Sequence, residues 1–106
     1  MRIFAAGLIS AVLVAAPVWA DEVADCERYA VELSKRLSMG IVKAEIERGD
    51  TLNYNLFQDK VGTVMVAAEI MGFARITFDK GPKRMRFVCL HPGDKKKPIY
   101  FGLFYE

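Results

Sequence analysis

Residues that most often build catalytic and metal sites are scarce in this sequence. Its 106 residues include one histidine, His91, and two cysteines, Cys26 and Cys89. Beyond residue 20 the only serines are Ser34 and Ser38. A Ser–His–Asp triad and a zinc site therefore lack the necessary side chains, and no glycine-rich phosphate or dinucleotide motif occurs. We expect no enzymatic activity, no metal and no cofactor.

The sequence also lacks an apolar run of membrane-spanning length. Its longest apolar run, Ile3–Ala16, has 14 residues, whereas a spanning helix needs about 20. An arginine precedes this run, and a proline and Val18-Trp19-Ala20 follow it, which is typical of a cleaved secretory signal peptide. We therefore predict a signal peptide at 1–20 and a single domain at 21–106, exported to the periplasm or beyond. An uncleaved membrane anchor is the alternative.

Two cysteines in an exported protein favour a disulfide between Cys26 and Cys89. A domain of this size buries little apolar surface, so a covalent link is a common means of stabilising it. The alternative is a reactive Cys89 thiol with His91 as its base, because both side chains would share one face of a strand. Pro92-Gly93 directly after His91 indicates a turn, which places this histidine in solvent and favours the disulfide.

Helical periodicity is clearest in residues 21–39. The apolar residues recur at steps of three and four, and acidic residues begin the segment while basic residues end it; these apolar residues are Val23, Cys26, Ala30, Leu33 and Leu37. Similar spacing in 61–71, with Asp59 as N-cap and Gly72 at the end, predicts a second helix, although its β-branched residues oppose it. Residues 41–60 are compatible with either a strand or a short helix.

After Gly72 the apolar period becomes two, which predicts three strands at 73–78, 84–89 and 99–105. The predicted fold class is α+β: an N-terminal amphipathic helix, a second helix, a three-stranded antiparallel meander and one disulfide. In the last strand Tyr100 and Phe104 face away from Phe101 and Leu103. Either residues 41–57 cover these two aromatic side chains, or they form an exposed surface for a partner.

Charge is distributed unevenly along the chain. Residues 21–59 carry nine acidic and five basic side chains, whereas residues 75–97 carry eight basic and two acidic ones. Such a basic region is either solvated surface or a site for an anionic partner. Basic and aromatic residues at the C-terminus define the candidate partner-binding set: Lys80, Lys83, Arg84, Arg86, Lys95, Lys96, Lys97, Tyr100 and Phe104.

These patterns favour a small, exported, non-catalytic protein-binding module of inhibitor, immunity or accessory type. Its partner would be another protein, with an acidic surface as one option, because arginine and aromatic residues are common interface anchors. The alternative is electrostatic binding to anionic lipid headgroups or another polyanion of the cell envelope. Nucleic acid is disfavoured, since no recognised reading motif is present.

Overall fold

The computed structural model describes residues 20–61 and 63–105, which form one helix and one antiparallel sheet of five strands. The elements are α1 (Ala20–Leu37), β1 (Ile41–Ile46), β2 (Asn53–Val61), β3 (Val64–Phe78), β4 (Gly81–His91) and β5 (Tyr100–Phe104). Except for Ala20, the predicted signal peptide lies outside the described residues. Among the residues described, no helix is long and apolar enough to cross a membrane.

The long strand β3 organises the sheet. On one side it pairs with β4 along residues 68–78, and β4 pairs in turn with β5. On its other side it pairs with β1 near its end and with β2 near its start. Strands β1 and β2 therefore lie in line along one edge, and β5 forms the opposite edge.

A six-residue interruption, 47–52, separates β1 from β2 on this edge. Ile46 pairs with Ala74 and Asn53 with Met71, so only two residues of β3 lie opposite the interruption. The extra residues loop back over Gly72, where a Cβ atom would lie 2.8 Å from the carbonyl oxygen of Thr51. This close approach of two backbones requires glycine at position 72.

Helix α1 packs across one face of the sheet, which we call the inner face. The core contains Val23, Cys26 and Ala30 of the helix against Ile70 and Phe87 of the sheet. Burying each large apolar side chain here contributes about 1.5–3 kcal/mol. The predicted disulfide is confirmed: Cys26 and Cys89 are joined, with Cα atoms 6.3 Å apart, and both residues are fully buried. It connects the middle of α1 to β4, the strand between β3 and β5.

Polar contacts fix both ends of β1 to the helix. Ile41 N–H donates to Ser34 Oγ at 2.8 Å, and Ile46 N–H donates to Glu27 Oε2 at 2.7 Å. The Arg48 guanidinium forms two further hydrogen bonds with the Glu27 carboxylate, and this contact raises the pKa of Arg48. Through these contacts Glu27 holds Ile46 and Arg48 in place, where β1 ends and the interruption begins.

The predicted fold class is wrong in its elements. Residues 61–71, expected to form a second helix, belong mostly to β3, and residues 41–60 form β1 and β2. Val66, Ala68 and Ile70 are fully buried on the inner face at a spacing of two residues. The β-branched side chains of Val66 and Ile70 and the pairing of β3 with strands on both sides outweigh the coincidental helical spacing. Five strands thus replace the expected three, and the described residues contain one helix.

Removing the disulfide tests its contribution to stability. Replacing both cysteines by serine should lower the free energy of unfolding by about 4 kcal/mol. The loss is large because the bond closes a long loop in the unfolded chain, where the two cysteines are separated by 63 positions. Urea denaturation followed by circular dichroism measures this difference. Reduced wild-type protein is the control and should be destabilised similarly. Unchanged stability in both samples would contradict the prediction.

Gly72 of β3 and Gly49 of the interruption that crosses it provide a matched pair. Gly72→Ala should destabilise the protein by about 1–3 kcal/mol, because the new methyl group would overlap the Thr51 carbonyl. Gly49→Ala should change stability by no more than about 0.5 kcal/mol. No atom near Gly49 would contact the added methyl group. Thermal unfolding of both variants provides the comparison, and equal midpoints would show that the close approach is relieved at no cost.

Candidate partner-binding surface

The face of the sheet opposite α1, which we call the outer face, has no second layer of helix or strand among the described residues. Residues 41–57, which were one candidate to cover the outer face, instead form strands that extend the same sheet. Tyr100 and Phe104 of β5 are 45% and 48% exposed there. The C-terminal strand therefore presents aromatic side chains on an uncovered face.

Strand register places arginine between aromatic residues on this face. Phe73 of β3 pairs with Arg86 of β4, and Arg86 pairs with Phe104 of β5. The guanidinium carbons of Arg84 and Arg86 lie 3.9 Å and 5.5 Å from the centroid of the Phe73 ring. These are cation–π distances. We call Phe73, Arg84, Arg86, Tyr100 and Phe104 the outer-face cluster.

The carboxylate of Glu47, at the start of the interruption between β1 and β2, holds Arg84 in place. Its Nε and Nη2 atoms donate to the two Glu47 oxygens at 2.6 Å and 3.0 Å. The backbone N–H of Glu47 donates to the carbonyl of Phe73 at 2.9 Å, so the acid is fixed beside the ring that Arg84 covers. The Arg84 guanidinium, through its hydrogen bonds, holds the pKa of Glu47 below its ordinary value.

Tyr100 and Gly102 are mutually adapted within β5. A Cβ atom at Gly102 would overlap the Tyr100 hydroxyl and would lie 2.9 Å from Cζ of the same ring. The Tyr100 ring therefore lies across the space that Gly102 leaves on the outer face. This arrangement makes the aromatic surface continuous along the strand on the outer face.

A groove of about 510 Å³ runs beside the cluster. Met71 and Val88, which pair with each other, contribute to its floor, and Phe73, Arg86 and Phe104 line it. The groove can accommodate an apolar side chain, with one guanidinium at its rim. Met71 and Phe73 were not in the predicted set, because their proximity to Phe104 depends on the strand register.

The nine predicted partner-binding residues fall in three separate places. Arg84, Arg86, Tyr100 and Phe104 share the outer face. The hairpin lysines, Lys80 and Lys83, lie at the β3–β4 turn, where Lys83 Nζ is 4.3 Å from the centroid of the Tyr105 ring. The basic loop, Lys95–Lys97, follows the far end of β4. The full length of this strand, roughly 30 Å or more at the usual rise per residue, therefore separates the hairpin lysines from the basic loop.

The basic loop lies beside the acidic end of α1. Lys95 and Lys96 line a depression of about 550 Å³ together with Asp21, Glu22 and Asp25. Charges that are remote in sequence are thus brought close together within one domain. This proximity reduces the attraction that the loop could exert on an anionic partner.

Sequence reasoning missed a buried polar pair, Asp25 and His91. His91 Nε2 lies 2.9 Å from Asp25 Oδ2, and only 1% of His91 is exposed. The expectation of a solvated turn residue is therefore wrong: β4 extends to His91 and turns afterwards. A usable signal was present, because Asp25 precedes Cys26 on the helix and His91 follows Cys89 on the same strand face. The disulfide that joins the cysteines also brings their neighbours together.

Both ring nitrogens of His91 are engaged. Gly93 N–H donates to Nδ1 at 2.9 Å, so Nε2 carries the proton and donates to Asp25. The Asp25 carboxylate also accepts from Arg28. Cys89 Sγ is in the disulfide, so the alternative of a reactive thiol with His91 as its base is wrong. The pair fastens the start of the basic loop to the first turns of α1.

Burial and a hydrogen bond also change the pKa of Tyr54, near this end of the helix. The Tyr54 hydroxyl donates to Glu22 Oε1 at 2.7 Å. Burial, together with the negative charge of Glu22, raises the pKa of Tyr54 to about 12. Strand β2 is thereby linked to α1. None of the described residues forms a group of histidine, cysteine or carboxylate side chains suited to a metal ion.

No family model matches the chain, and no curated protein or solved structure is significantly similar to it.

The contact between Glu47 and Arg84 predicts a measurable pH effect. Arg84→Met should raise the pKa of Glu47, whereas Arg75→Met should leave it unchanged, since Arg75 faces the same side and has no ion-pair partner among the residues described. Because the folded-state pKa of Glu47 lies below its ordinary value of about 4.5, the contact stabilises the fold above that pH. Its contribution is lost as the pH falls through the folded-state value.

Carboxyl-carbon NMR titration of the wild type and the two variants measures this pKa directly. A Glu47 titration curve that is the same in all three proteins would show that the hydrogen bonds do not persist in solution.

Proposed function

We propose that this chain is a small, exported, non-catalytic protein-binding module whose contact surface is the outer-face cluster. The observation that carries the proposal is the uncovered aromatic and arginine surface around Phe73, Arg86 and Phe104. Half-exposed aromatic rings beside arginine are the usual components of interface hot spots. The disulfide is consistent with export to an oxidising compartment.

The preferred partner is a protein that presents a carboxylate next to an apolar side chain. Arg75 and Arg86 form no ion pair within the described part of the chain, and both lie on the outer face. Glu45 lies opposite Arg75 in the strand register but forms its ion pair with Lys43. Glu69, also on the outer face, is an acidic residue that forms no ion pair within the described part of the chain. The unpaired arginines on this face therefore outnumber the unpaired carboxylate. The groove floored by Met71 and Val88 would accept the apolar side chain.

Affinity capture with matched variants tests this function. Immobilised wild-type protein should retain a specific partner from the exported fraction of the source cells. Arg86→Glu and Phe104→Ser should each weaken binding by roughly 30-fold, as expected for the loss of a hot spot. The controls Arg36→Glu, on α1, and Leu56→Ser, on the opposite edge strand, make the same chemical changes at exposed positions outside the cluster and should bind normally.

Retention that does not depend on Arg86 or Phe104 would contradict the proposal, as would the absence of any retained protein. Binding to phosphatidylglycerol vesicles that decreases as salt is raised, with no protein partner, would instead favour the envelope-binding alternative.

A further inference from the structure

Strand β5 is an open edge of the sheet. It pairs with β4 through Arg86–Leu90, and no strand formed by residues 20–61 or 63–105 pairs with its other side. The backbone groups on that side are therefore available to a further strand. Open edges of this kind pair with other chains unless the sequence prevents it.

The opposite edge has irregular registers and charged side chains, which oppose such pairing, whereas β5, although only five residues long, has neither. Strand β1 has an irregular register between Ile41 and Lys43, and β2 has another between Leu56 and Asp59. Charged side chains, including Lys43 and Lys60, follow both irregularities. Strand β5 pairs with β4 without a register shift, and its five residues contain no charge and no proline.

The β5 sequence, Tyr-Phe-Gly-Leu-Phe, is also close to symmetric about Gly102. In an antiparallel pair centred on Gly102, Tyr100 of one copy faces Phe104 of the other. Phe101 likewise faces Leu103. Each such pair combines two side chains of the same sheet face, and no like charges are opposed.

We propose that two copies of this chain associate through their β5 edges, antiparallel about Gly102, to form one continuous sheet. The outer face of that sheet then carries two aromatic pairs, in which the half-exposed Tyr100 and Phe104 cover each other. Gly102 faces Gly102 at the two-fold axis, where the overlying Tyr100 rings need room. The inference goes beyond the binding function and requires no other protein; because it covers Tyr100 and Phe104, a second copy competes with the proposed protein partner for these two side chains.

The interface is small, so dimerisation should depend on concentration in the range of about 10 µM to about 1 mM. Sedimentation velocity of the oxidised wild-type protein should show a monomer–dimer equilibrium in this range. The control Leu56→Lys, which adds a charge at an exposed residue of the other edge, should behave like the wild type. A wild-type protein that remains monomeric throughout this range overturns the proposal.

Two double variants that differ only in the sign of the charge at position 104 test the register. Tyr100→Lys with Phe104→Glu places opposite charges across the two-fold axis and should still dimerise. Tyr100→Lys with Phe104→Lys places like charges there and should raise the dissociation constant at least tenfold relative to the first variant. Both lose the same aromatic rings, and circular dichroism establishes that both are folded. Equal dissociation constants, or no dimer in either variant, overturn the antiparallel register.

Discussion

The structure depends on the attachment of helix α1 to one face of the sheet. The Cys26–Cys89 disulfide lies at the centre of that contact, and the polar contacts of Asp25, Glu27 and Ser34 surround it. Asp25 and Glu27 lie on the two flanks of α1 on either side of Cys26, so the helix is fixed in position and in rotation. Among the described elements, all of the layer packing is therefore on one side, and the outer face stays open.

Much of the inner face could be predicted from the sequence, because burial imposes a regular period on α1 and on the later strands. The disulfide followed from the cysteine count. Residues 61–71 were assigned wrongly, since Val61, Val64 and Ala68 happen to recur at helical spacing while pairing on both sides of β3 decides the structure. His91 was misplaced because a Pro-Gly turn signal does not reveal whether the preceding residue is buried.

The candidate surface was only partly predictable for a related reason. The alternation of β5 was sufficient to place Tyr100 and Phe104 on one face. The contributions of Phe73 and Glu47 required the register between strands that are distant in sequence, with Glu47 and Arg84 separated by 37 positions. The uneven charge of the sequence was equally misleading, because Lys95–Lys97 lie against the acidic end of α1 and only the outer-face arginines remain in excess.

The interruption between β1 and β2 has a consequence for how this sheet can grow. A sheet with two open and compatible edges can add subunits at both ends and polymerise into fibres. Here the loop at 47–52 and the irregular registers of β1 and β2 leave one edge unsuited to a neighbouring strand. With β5 as the sole favourable edge of the described sheet, pairing between two copies consumes both available edges. Assembly by this route is self-limiting.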